Sequence, residues 1–562
     1  MQALKQYCLE IIQAIEDRKV SSTQQLNKLK NVLCEKYKIA QAPTNATILS
    51  FAAANKERVL KVLEMKPVKS LSGIVAVAVM PKPQKCPGKC IYCPNSLVDE
   101  ETPKSYTGRE PATMRALQAG FNARKQIQGR IQQLQEMGHN AEKVELIIMG
   151  GTFPAAPYNF QKKFMLECFN SVNLKKTQSL ETAKLFKPKA NFPTLQRQSL
   201  CEALQNQRFC HEVFCKAKKL AEKAKHRIVG ITFETRPDYC GKKEINRILE
   251  FGGTRVELGV QTVQDDVLRK INRKHSAKQV SEATQLLKDS ALKVGYHLMP
   301  GLPFSNYKKE LKAFRKVFSS QDFKPDMLKI YPCLVIKGTK LYGLWKKGKF
   351  EPFDTEKAVK FLTEAKACLP KWVRVMRIQR DIPTQLIEAG VKSSNIRQIV
   401  HERLKEEGLK CSCIRCREIG LLEYLQNEKP NFESLKTKRI DYNASNGKEI
   451  FLSMEDHKEN LYGFLRLRNP FNPFRKELKN SALVRELHVL GQALALGEQK
   501  EGKVQHLAIG KQLLQEAERI SKDEFDFKEI SVISGVGAKE YYRKQGYCND
   551  GAFVSKRLSK TN

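Results

Sequence analysis

The sequence predicts an α/β protein whose centre is an open barrel of six strand–helix units. Apolar strands alternate with helical stretches over residues 71–395, and polar side chains follow where the strands end. Strands joined by helical crossovers form a parallel sheet wound in one sense. No further strands are visible, so a partial barrel fits better than a closed eight-unit one. The predicted strands are Gly73–Met80, Val144–Met149, Arg227–Glu234, Arg255–Gln261, Lys293–Met299 and Met327–Val335.

Helical patterns occupy the connections between these strands. One runs from Pro111 to Met137 and another from Thr355 to Cys368, with Asp354 at the position of an N-cap. In parallel barrels the chemistry lies at the carboxyl ends of the strands. Polar or glycine residues at those ends include Gly150, Gly151, Gln261 and His297. For His297, a structural and a functional interpretation both stay open.

Three cysteines, Cys86, Cys90 and Cys93, share one short loop after the first strand. Pro81 and Pro83 end that strand just before them. Three close thiolates suit a soft metal or an iron–sulfur cluster with one iron free of protein ligands. The alternative is a structural zinc knuckle that lacks a fourth ligand. The C-x3-C-x2-C spacing after a first strand resembles the radical S-adenosylmethionine signature, which implies a [4Fe–4S] cluster that chelates S-adenosylmethionine.

A second group, Cys411, Cys413 and Cys416, follows where the strand–helix pattern stops. Three cysteines within six residues predict structural zinc, with a fourth ligand from elsewhere in the chain. His401 and His488 are candidates, and the sequence does not decide between them. The alternative is a set of free thiols. In either case we expect this group to hold the junction between two domains.

Charge is the most pronounced property of the composition. The chain of 562 residues has 99 Lys and Arg against 60 Asp and Glu, a formal net charge of +39. A polyanionic partner is the natural inference, and nucleic acid is the first candidate. Residues 1–70 are helical and carry 12 basic against 6 acidic residues. This segment is predicted to grip phosphates; a solvated helical cap is the alternative.

The cysteines and the apolar residues indicate the compartment. Sixteen cysteines are spread over a long chain whose first residues form an amphipathic helix rather than a signal sequence. This pattern predicts a reducing, cytoplasmic environment. No apolar run of about 18 residues exists, so no membrane span is expected.

The last hundred or so residues predict a mixed α/β domain. Strand-like segments lead into a loop at residues 505–510 (QHLAIG) that opens a helix, and amides at such a helix start cradle a pyrophosphate. The loop resembles the acetyl-coenzyme A loop of GNAT-type acetyltransferases. Tyr541 and Tyr542 follow the next strand, where such enzymes often place the group that meets the thiolate. Plain packing is the alternative for this tyrosine pair.

Several long stretches, taken together, resemble one family. They include CIYCP, SYTGREPATMRA, GYHLMPGLP, CSCIRCREIG and ISGVGAKEYYRKQGY. The chain is similar to the catalytic subunit of Elongator, the tRNA uridine-34 acetyltransferases, in its stand-alone prokaryotic form. The domains expected on this basis are a basic helical tRNA-binding segment (1–70), a radical S-adenosylmethionine barrel (71–395), a zinc junction (396–440) and a GNAT-type domain (441–562).

The resemblance also implies roles for individual residues. Cys86, Cys90 and Cys93 hold the cluster, and Cys411, Cys413 and Cys416 hold zinc. The acetyl-coenzyme A site is lined by Lys143, Glu486, Leu487, His488, Val489, Ile509, Gly510, Lys511 and Tyr542. From their places at strand ends, Gly150 and Gly151 are expected to approach S-adenosylmethionine, and Gln261 its ribose. Tyr541 and Tyr542 are the catalytic candidates.

The implied activity is wobble uridine modification, with acetyl-coenzyme A and a radical from S-adenosylmethionine giving 5-carboxymethyluridine. The anticodon stem-loop of tRNA is the expected partner, accessory Elongator subunits are not required, and a homodimer stays open. Leu507 and Ala508 depart from the family's coenzyme loop, which predicts weaker acetyl-coenzyme A affinity. Two other interpretations remain: a protein lysine acetyltransferase that uses the barrel as a scaffold, and a tRNA-binding module with decayed catalysis.

Overall fold

The structure is a computed structural model that describes residues 2–39, 42–52, 57–63, 71–94, 102–173, 207–379, 382–491 and 508–558. Residues 505–507 of the predicted coenzyme loop, and nearly all of the insertion predicted at 171–205, lie outside these ranges. The first part of the chain is helical, as predicted, with a small apolar core of its own. Its helices are Gln2–Glu16, Thr23–Lys36, Asn45–Ser50 and Glu57–Leu63.

A parallel seven-stranded sheet forms the centre of the molecule. All neighbouring strands in it run parallel, as the alternation of strands and helices predicted. The strands are β1 (Ile74–Val79), β2 (Lys143–Ile148), β3 (Arg227–Thr235), β4 (Arg255–Gln261), β5 (Lys293–Leu298), β6 (Met327–Ile330) and β8 (Arg374–Ile378). Two short strands, β7 (Val335–Ile336) and β9 (Ile387–Ala389), pair with each other beside it.

The seventh strand, β8, was not predicted, so the sheet has one strand more than expected. Two arginines, Arg374 and Arg377, interrupt its apolar residues, so the segment does not form the continuous apolar run that predicted the other strands. The sixth predicted strand is shorter than expected, since it ends at Ile330 just before Tyr331 and Pro332. Proline cannot donate to a ladder of backbone hydrogen bonds, which explains the early end.

Helices cover the outer side of this sheet and bury one apolar core against it. The helix predicted from Pro111 to Met137 is wrong as one element, because Gly120 and Phe121 have positive φ and divide it. Asn122 caps the second half, and Asp354 caps Thr355–Ala367 as predicted. The helices around the sheet include Pro111–Gln118, Ala123–Glu136, Tyr158–Ser171, Gln207–Ala221, Lys242–Glu250, Asp265–Lys270, Ala277–Lys288, Tyr307–Ser319, Lys340–Lys346, Thr355–Ala367 and Ile396–Glu406.

The C-terminal domain is built on a second seven-stranded sheet, of order β10-β11-β12-β13-β14-β16-β15. Its strands are β10 (Lys436–Ala444), β11 (Gly447–Glu455), β12 (Leu461–Asn469), β13 (Ser481–Val489), β14 (Glu529–Val532), β15 (Cys548–Asp550) and β16 (Phe553–Arg557). Only the pairing of β13 with β14 is parallel, and the helix Ile509–Asp523 connects these two strands. The mixed α/β architecture is as predicted, although β10 begins ahead of the expected boundary at 441.

The two sheets pack closely against each other. The helices Ile414–Arg417 and Ile419–Gln426 lie between them in the chain. A short turn after β14, Gly535–Ala538, rests on β3 of the first sheet. The contact brings the C-terminal domain against the amino-terminal half of β3, opposite the edge where the polar residues of the predicted barrel site gather.

Candidate active site

The loop that bears Cys86, Cys90 and Cys93 is fixed in place by backbone hydrogen bonds. The N–H of Ile91 donates to Ile271 O at 3.2 Å, and the N–H of Leu341 donates to Ile91 O at 2.9 Å. Cys90 and Ile91 also pack against the apolar cluster around these two segments. The three thiols remain half-buried. The loop is therefore anchored at its middle while its three thiols stay partly accessible.

Two arginines lie beside this loop. Arg273 Nη1 donates to Cys90 Sγ at 3.4 Å. Arg236 pairs with Asp238 through Nη2 at 2.7 Å, while its Nη1 is buried and has no hydrogen-bond partner among the described residues. That nitrogen occupies the space in which a side chain at Gly88 would lie. An unpaired donor and a cationic rim suit an anionic iron–sulfur cluster held by these cysteines.

The residues predicted to approach S-adenosylmethionine lie at the carboxyl edge of the first sheet. Gly150 and Gly151 have φ of 109° and 94°, in a region that favours glycine. The backbone conformation therefore requires a residue without a side chain at both positions. Gln261 ends β4 with φ of 68° and is largely buried. Beside it lies a cavity that is also lined by Glu310, whose carboxylate accepts the N–H of Gly301 and of Leu302.

In the C-terminal domain, three of the predicted residues meet at the start of the helix Ile509–Asp523. A side chain added at Gly510 would approach Tyr541 Oη at 2.8 Å and Val489 Cγ2 at 3.4 Å. Ala508 begins the helix in the left-handed region, with φ of 49°. Tyr541 is exposed, whereas Tyr542 is buried in the domain core and stacks edge-on against Tyr541. The structure therefore places Tyr541, not Tyr542, over the bare helix start.

The other predicted coenzyme residues divide between this helix start and the domain interface. Lys511 is exposed on the helix, and Leu487 packs on the domain core. Glu486 points the other way and pairs with Arg466 at 2.8 Å. His488 Nε2 is buried without a hydrogen-bond partner among the described residues. The bare backbone at Gly510, where the helix begins, suits a polar ligand such as the pyrophosphate of a nucleotide cofactor, whereas His488 faces the domain interface beside Glu486.

Lys143 lies away from these residues, at the first position of β2. It is half-buried, and burial lowers the pKa of its ammonium group, an effect that the neighbouring Arg227 reinforces. Arg227 is also the residue on which the Gly535–Ala538 turn rests. Lys143 therefore belongs to the edge of the barrel that faces the C-terminal domain.

Cys411, Cys413 and Cys416 come together as the sequence predicted, with their sulfur atoms within 4.8 Å of one another. Hydrogen bonds from Cys411 and Cys416 hold the pKa of Cys413 well below its usual value. His401 Nε2 lies 4.0 Å from Cys416 Sγ, whereas His488 packs against Phe464 in the C-terminal sheet. Of the two candidate fourth ligands, His401 is the one beside the thiols, and the set suits a tetrahedral zinc ion.

Lys366 is a member of this group that sequence reasoning missed. Its Nζ lies 3.3 Å from Cys411 Sγ and 3.6 Å from Cys416 Sγ, in a fully buried position. Burial alone would lower the pKa of Lys366, but the neighbouring thiols raise it. Arg273 was missed in the same way beside the other cysteine loop. No local sequence pattern marks Lys366 or Arg273 as a partner of these cysteines, because each is far in sequence from the cysteines that it contacts.

Family models match three parts of the chain. The model of the ELP3 N-terminal domain covers residues 4–71, that of the Radical SAM superfamily covers 193–317, and that of the Radical_SAM C-terminal domain covers 325–406. The first falls on the predicted basic helical segment, and the other two fall within the barrel. None of the three extends over the C-terminal domain.

Relatives match from end to end. A tRNA uridine(34) acetyltransferase of Methanocaldococcus infernus is 46% identical, over 98% of this chain and 98% of that protein. Elongator complex protein 3 of Saccharomyces cerevisiae is 37% identical, over 98% of this chain and 96% of that protein. A solved structure of the Methanocaldococcus infernus Elp3, with an N-terminal deletion, superposes with a TM-score of 0.72 at 43% identity and covers 87% of this chain and 100% of that one. The chain therefore belongs to the family of the tRNA uridine(34) acetyltransferases and Elongator complex protein 3.

Proposed function

We propose that this protein modifies the wobble uridine of tRNA. In this proposal acetyl-coenzyme A provides a two-carbon unit that becomes a carboxymethyl group on carbon 5 of uridine-34, and coenzyme A leaves by hydrolysis. The observation that carries the proposal is the end-to-end similarity to a tRNA uridine(34) acetyltransferase, because both predicted cofactor sites fall inside the matched span. The target base must leave its stack to be reached, as for other enzymes that act on a nucleobase.

The chain's own residues divide this work between two sites. Cys86, Cys90 and Cys93 would hold a [4Fe–4S] cluster, which when bound supplies the one-electron chemistry that makes a radical from S-adenosylmethionine. Arg236 and Arg273 would offset the negative charge of this site. In the C-terminal domain, the helix start at Gly510, with Val489 and Tyr541 around it, would receive acetyl-coenzyme A. The GNAT-type assignment of this domain is supported by its mixed sheet and by the helix that connects the parallel pair.

The remaining parts of the proposal concern structure and partners. Cys411, Cys413 and Cys416, with His401, would bind zinc and hold the two domains together. The basic helices at the N-terminus would grip the anticodon stem-loop of tRNA. Every cysteine side chain that the structure describes is a free thiol, which supports a role in the reducing cytoplasm. None of the described helices combines the length and apolar character that crossing a bilayer requires.

The test uses anaerobically reconstituted protein. We expect acetyl-coenzyme A to release free thiol faster when tRNA is present, and mass spectrometry of tRNA nucleosides to find a carboxymethyl adduct once S-adenosylmethionine and a reductant are added. Cys90→Ala should abolish the adduct and keep the thiol release. Cys548→Ala, at an exposed cysteine on the second sheet, is the matched control and should retain both.

Each contrary outcome would change a specific part of the proposal. A carboxymethyl adduct that persists in Cys90→Ala would contradict the assigned cluster site. Acetyl transfer to lysine peptides, unaffected by tRNA and by Cys90→Ala, would identify a protein acetyltransferase. Binding of tRNA with neither product would identify a module with decayed catalysis.

A further inference from the structure

The inner face of the first sheet carries a connected set of charged side chains, which we call the inner-face network. Its members come from five adjacent parallel strands, β2 to β6. Alternate residues of a strand point to the same side, so these side chains meet on the face that the helices leave uncovered. The members are Glu145, Glu234, Arg255, Glu257, His297 and Lys329.

Direct contacts join the members into one chain. Arg255 contacts Glu145 at 2.6 Å and Glu257 at 3.3 Å. Lys329 Nζ pairs with Glu257 and lies 3.1 Å from Glu234 Oε1. The ammonium group of Lys329 thus bridges the two carboxylates, and the set is an ion-paired cluster.

Two glycines make room for this arrangement. A side chain at Gly295 would approach Glu257 Cγ at 3.1 Å, and one at Gly230 would approach Glu145 Cγ at 3.6 Å. Each carboxylate side chain therefore lies across the bare backbone of the neighbouring strand. In this way Glu257 reaches past Gly295 to the next inward-facing residue of β5, which is His297.

Glu257 fixes the tautomer of His297. Burial would raise the pKa of Glu257, but Lys329, a hydrogen bond with His297 and Arg255 hold it well below its usual value. Glu257 is therefore a carboxylate, and it must accept the hydrogen bond of 2.8 Å from His297 Nε2–H. In the neutral ring Nδ1 then has a lone pair, and this is the arrangement of a histidine base oriented by a carboxylate.

The His297 side chain is not fully buried. The imidazole is 15% exposed, its edge lies against the ring of Tyr331, and within the described parts of the chain Nδ1 has no hydrogen-bond partner. The charged and titratable groups around the ring are Glu234 from β3, Glu257 from β4, Lys329 from β6 and Tyr331 just after β6. A proton acceptor is thus held in a fixed orientation at a place that a small substrate can reach.

This place lies between the predicted S-adenosylmethionine site and the interface with the C-terminal domain. At the amino end of β4, the side chains of Arg255 and of Lys293 on β5 interact with the carboxylate of Glu486 in the C-terminal domain. At the carboxyl end, Gln261 belongs to the predicted S-adenosylmethionine site. Six residues of strand separate Arg255 from Gln261, about 20 Å at 3.3 Å per residue. The His297–Glu257 pair occupies the middle of that span.

We propose that His297 is the general base that hydrolyses the thioester, with Glu257 and Lys329 as positioning residues. This inference rests on the proposed function. His297 Nδ1 takes a proton from water as the water oxygen bonds to the acyl carbon. The same proton then passes to the sulfur of coenzyme A as the carbon–sulfur bond breaks, so that the products are a carboxylic acid and a thiol. No oxidant or reductant takes part in this step.

The test measures tRNA-stimulated thiol release from acetyl-coenzyme A by the full chain, as a function of pH. His297→Ala should lower kcat about 100-fold or more, the range of general base catalysis, and leave the affinities for acetyl-coenzyme A and tRNA unchanged. The inflection of kcat against pH should vanish, and added imidazole should restore part of the rate. His457→Ala, at an exposed histidine of the C-terminal domain, is the control and should match the unsubstituted protein.

Glu257→Gln tests the positioning role separately. Without the carboxylate the ring loses the acceptor that orients its Nε2–H, so kcat should fall while the affinity for acetyl-coenzyme A stays unchanged, and Glu257→Asp should restore part of the rate. An unchanged rate and pH profile in folded His297→Ala would overturn the inference and leave the proposed function standing. No tRNA-stimulated thiol release by the unsubstituted protein would overturn both.

Discussion

Glu310 shows how a single side chain in the barrel can make stability depend on pH. Its carboxylate is buried beside the cavity near Gln261 and accepts two backbone N–H groups, from Gly301 and Leu302. Burial raises the pKa of Glu310 to about 7, and the two backbone hydrogen bonds oppose this effect without cancelling it. The folded protein therefore binds a proton at this carboxyl group over a pH range in which the unfolded chain has released it.

We predict that the stability contributed by Glu310 falls as pH rises. Because its pKa is raised in the folded protein, Glu310 contributes its full stabilisation at pH values below its unfolded pKa, near 4.5. That stabilisation is lost as the pH rises towards 7. The difference in free energy of unfolding between the unsubstituted protein and Glu310→Gln should therefore shrink by about 3 kcal/mol over this range. Urea unfolding at a series of pH values measures it. A difference that is constant with pH, or that grows, would contradict the prediction.

The turn Gly535–Ala538 acts at the scale of an element, as the point where the C-terminal domain rests on the barrel. A side chain at Gly535 would overlap the backbone of Val229 in β3, and one at Gly537 would lie 2.6 Å from Arg227 Cβ. Both glycines therefore have a packing reason, since a strand of another domain lies against them.

We predict that Gly535→Ala destabilises the protein by about 1–3 kcal/mol, the usual cost of overpacking, because the backbone of β3 cannot move aside. Thermal unfolding measures the effect. Gly129→Ala is the matched control: it lies inside the helix Ala123–Glu136 and has nothing within 4 Å of an added side chain. That substitution should stabilise the protein by about 0.5–1 kcal/mol. Equal effects of the two substitutions would refute the docking role.

At the scale of the whole molecule, a buried ion cluster joins the two domains. The barrel provides Lys288, Asp289 and Asp326, and the C-terminal sheet provides Glu449, Arg466, Arg468, Arg485 and Glu486. Four cations and four anions balance. Asp326 is central, since its carboxylate accepts hydrogen bonds from Nη1 and Nη2 of Arg485, at 2.8 and 2.6 Å. Burial would raise the pKa of Asp326, but the surrounding cations hold it well below its usual value.

We predict that Asp326→Asn costs about 3–5 kcal/mol, because Arg485 then keeps Glu449 but loses Asp326, and the buried cluster is left with four cations and three anions. Urea unfolding should show the loss, and the C-terminal domain should unfold earlier than the barrel. Glu10→Gln, which breaks the exposed pair with Lys36, is the control and should cost no more than about 1 kcal/mol. A loss from Asp326→Asn as small as that of the control would show that the cluster does not hold the domains together.

Local patterns in the sequence determined much of this molecule. Alternating strands and helices predicted the parallel sheet, and close spacing predicted that Cys411, Cys413 and Cys416 would meet. The helix cap at Asp354 followed from its neighbours in the same way. These features depend on residues that are near in sequence, where periodicity, capping and spacing already fix the geometry. The strand β8 was not predicted from such local patterns, because its two arginines interact with distant parts of the chain.

The tertiary structure alone decided which residues face one another across elements. Lys366 reaches its cysteines, and Arg273 its loop, over long separations in the chain. Tyr541 rather than Tyr542 lies over Gly510, since burial of one tyrosine turns its neighbour outward. His297 was ambiguous in sequence, because a histidine in a strand acquires a role only through its partners. Those partners, Glu257 and Lys329, lie on the strands on either side of it. Which residues of parallel strands lie next to each other depends on the register of the strands, and the spacing of residues in the sequence does not give that register.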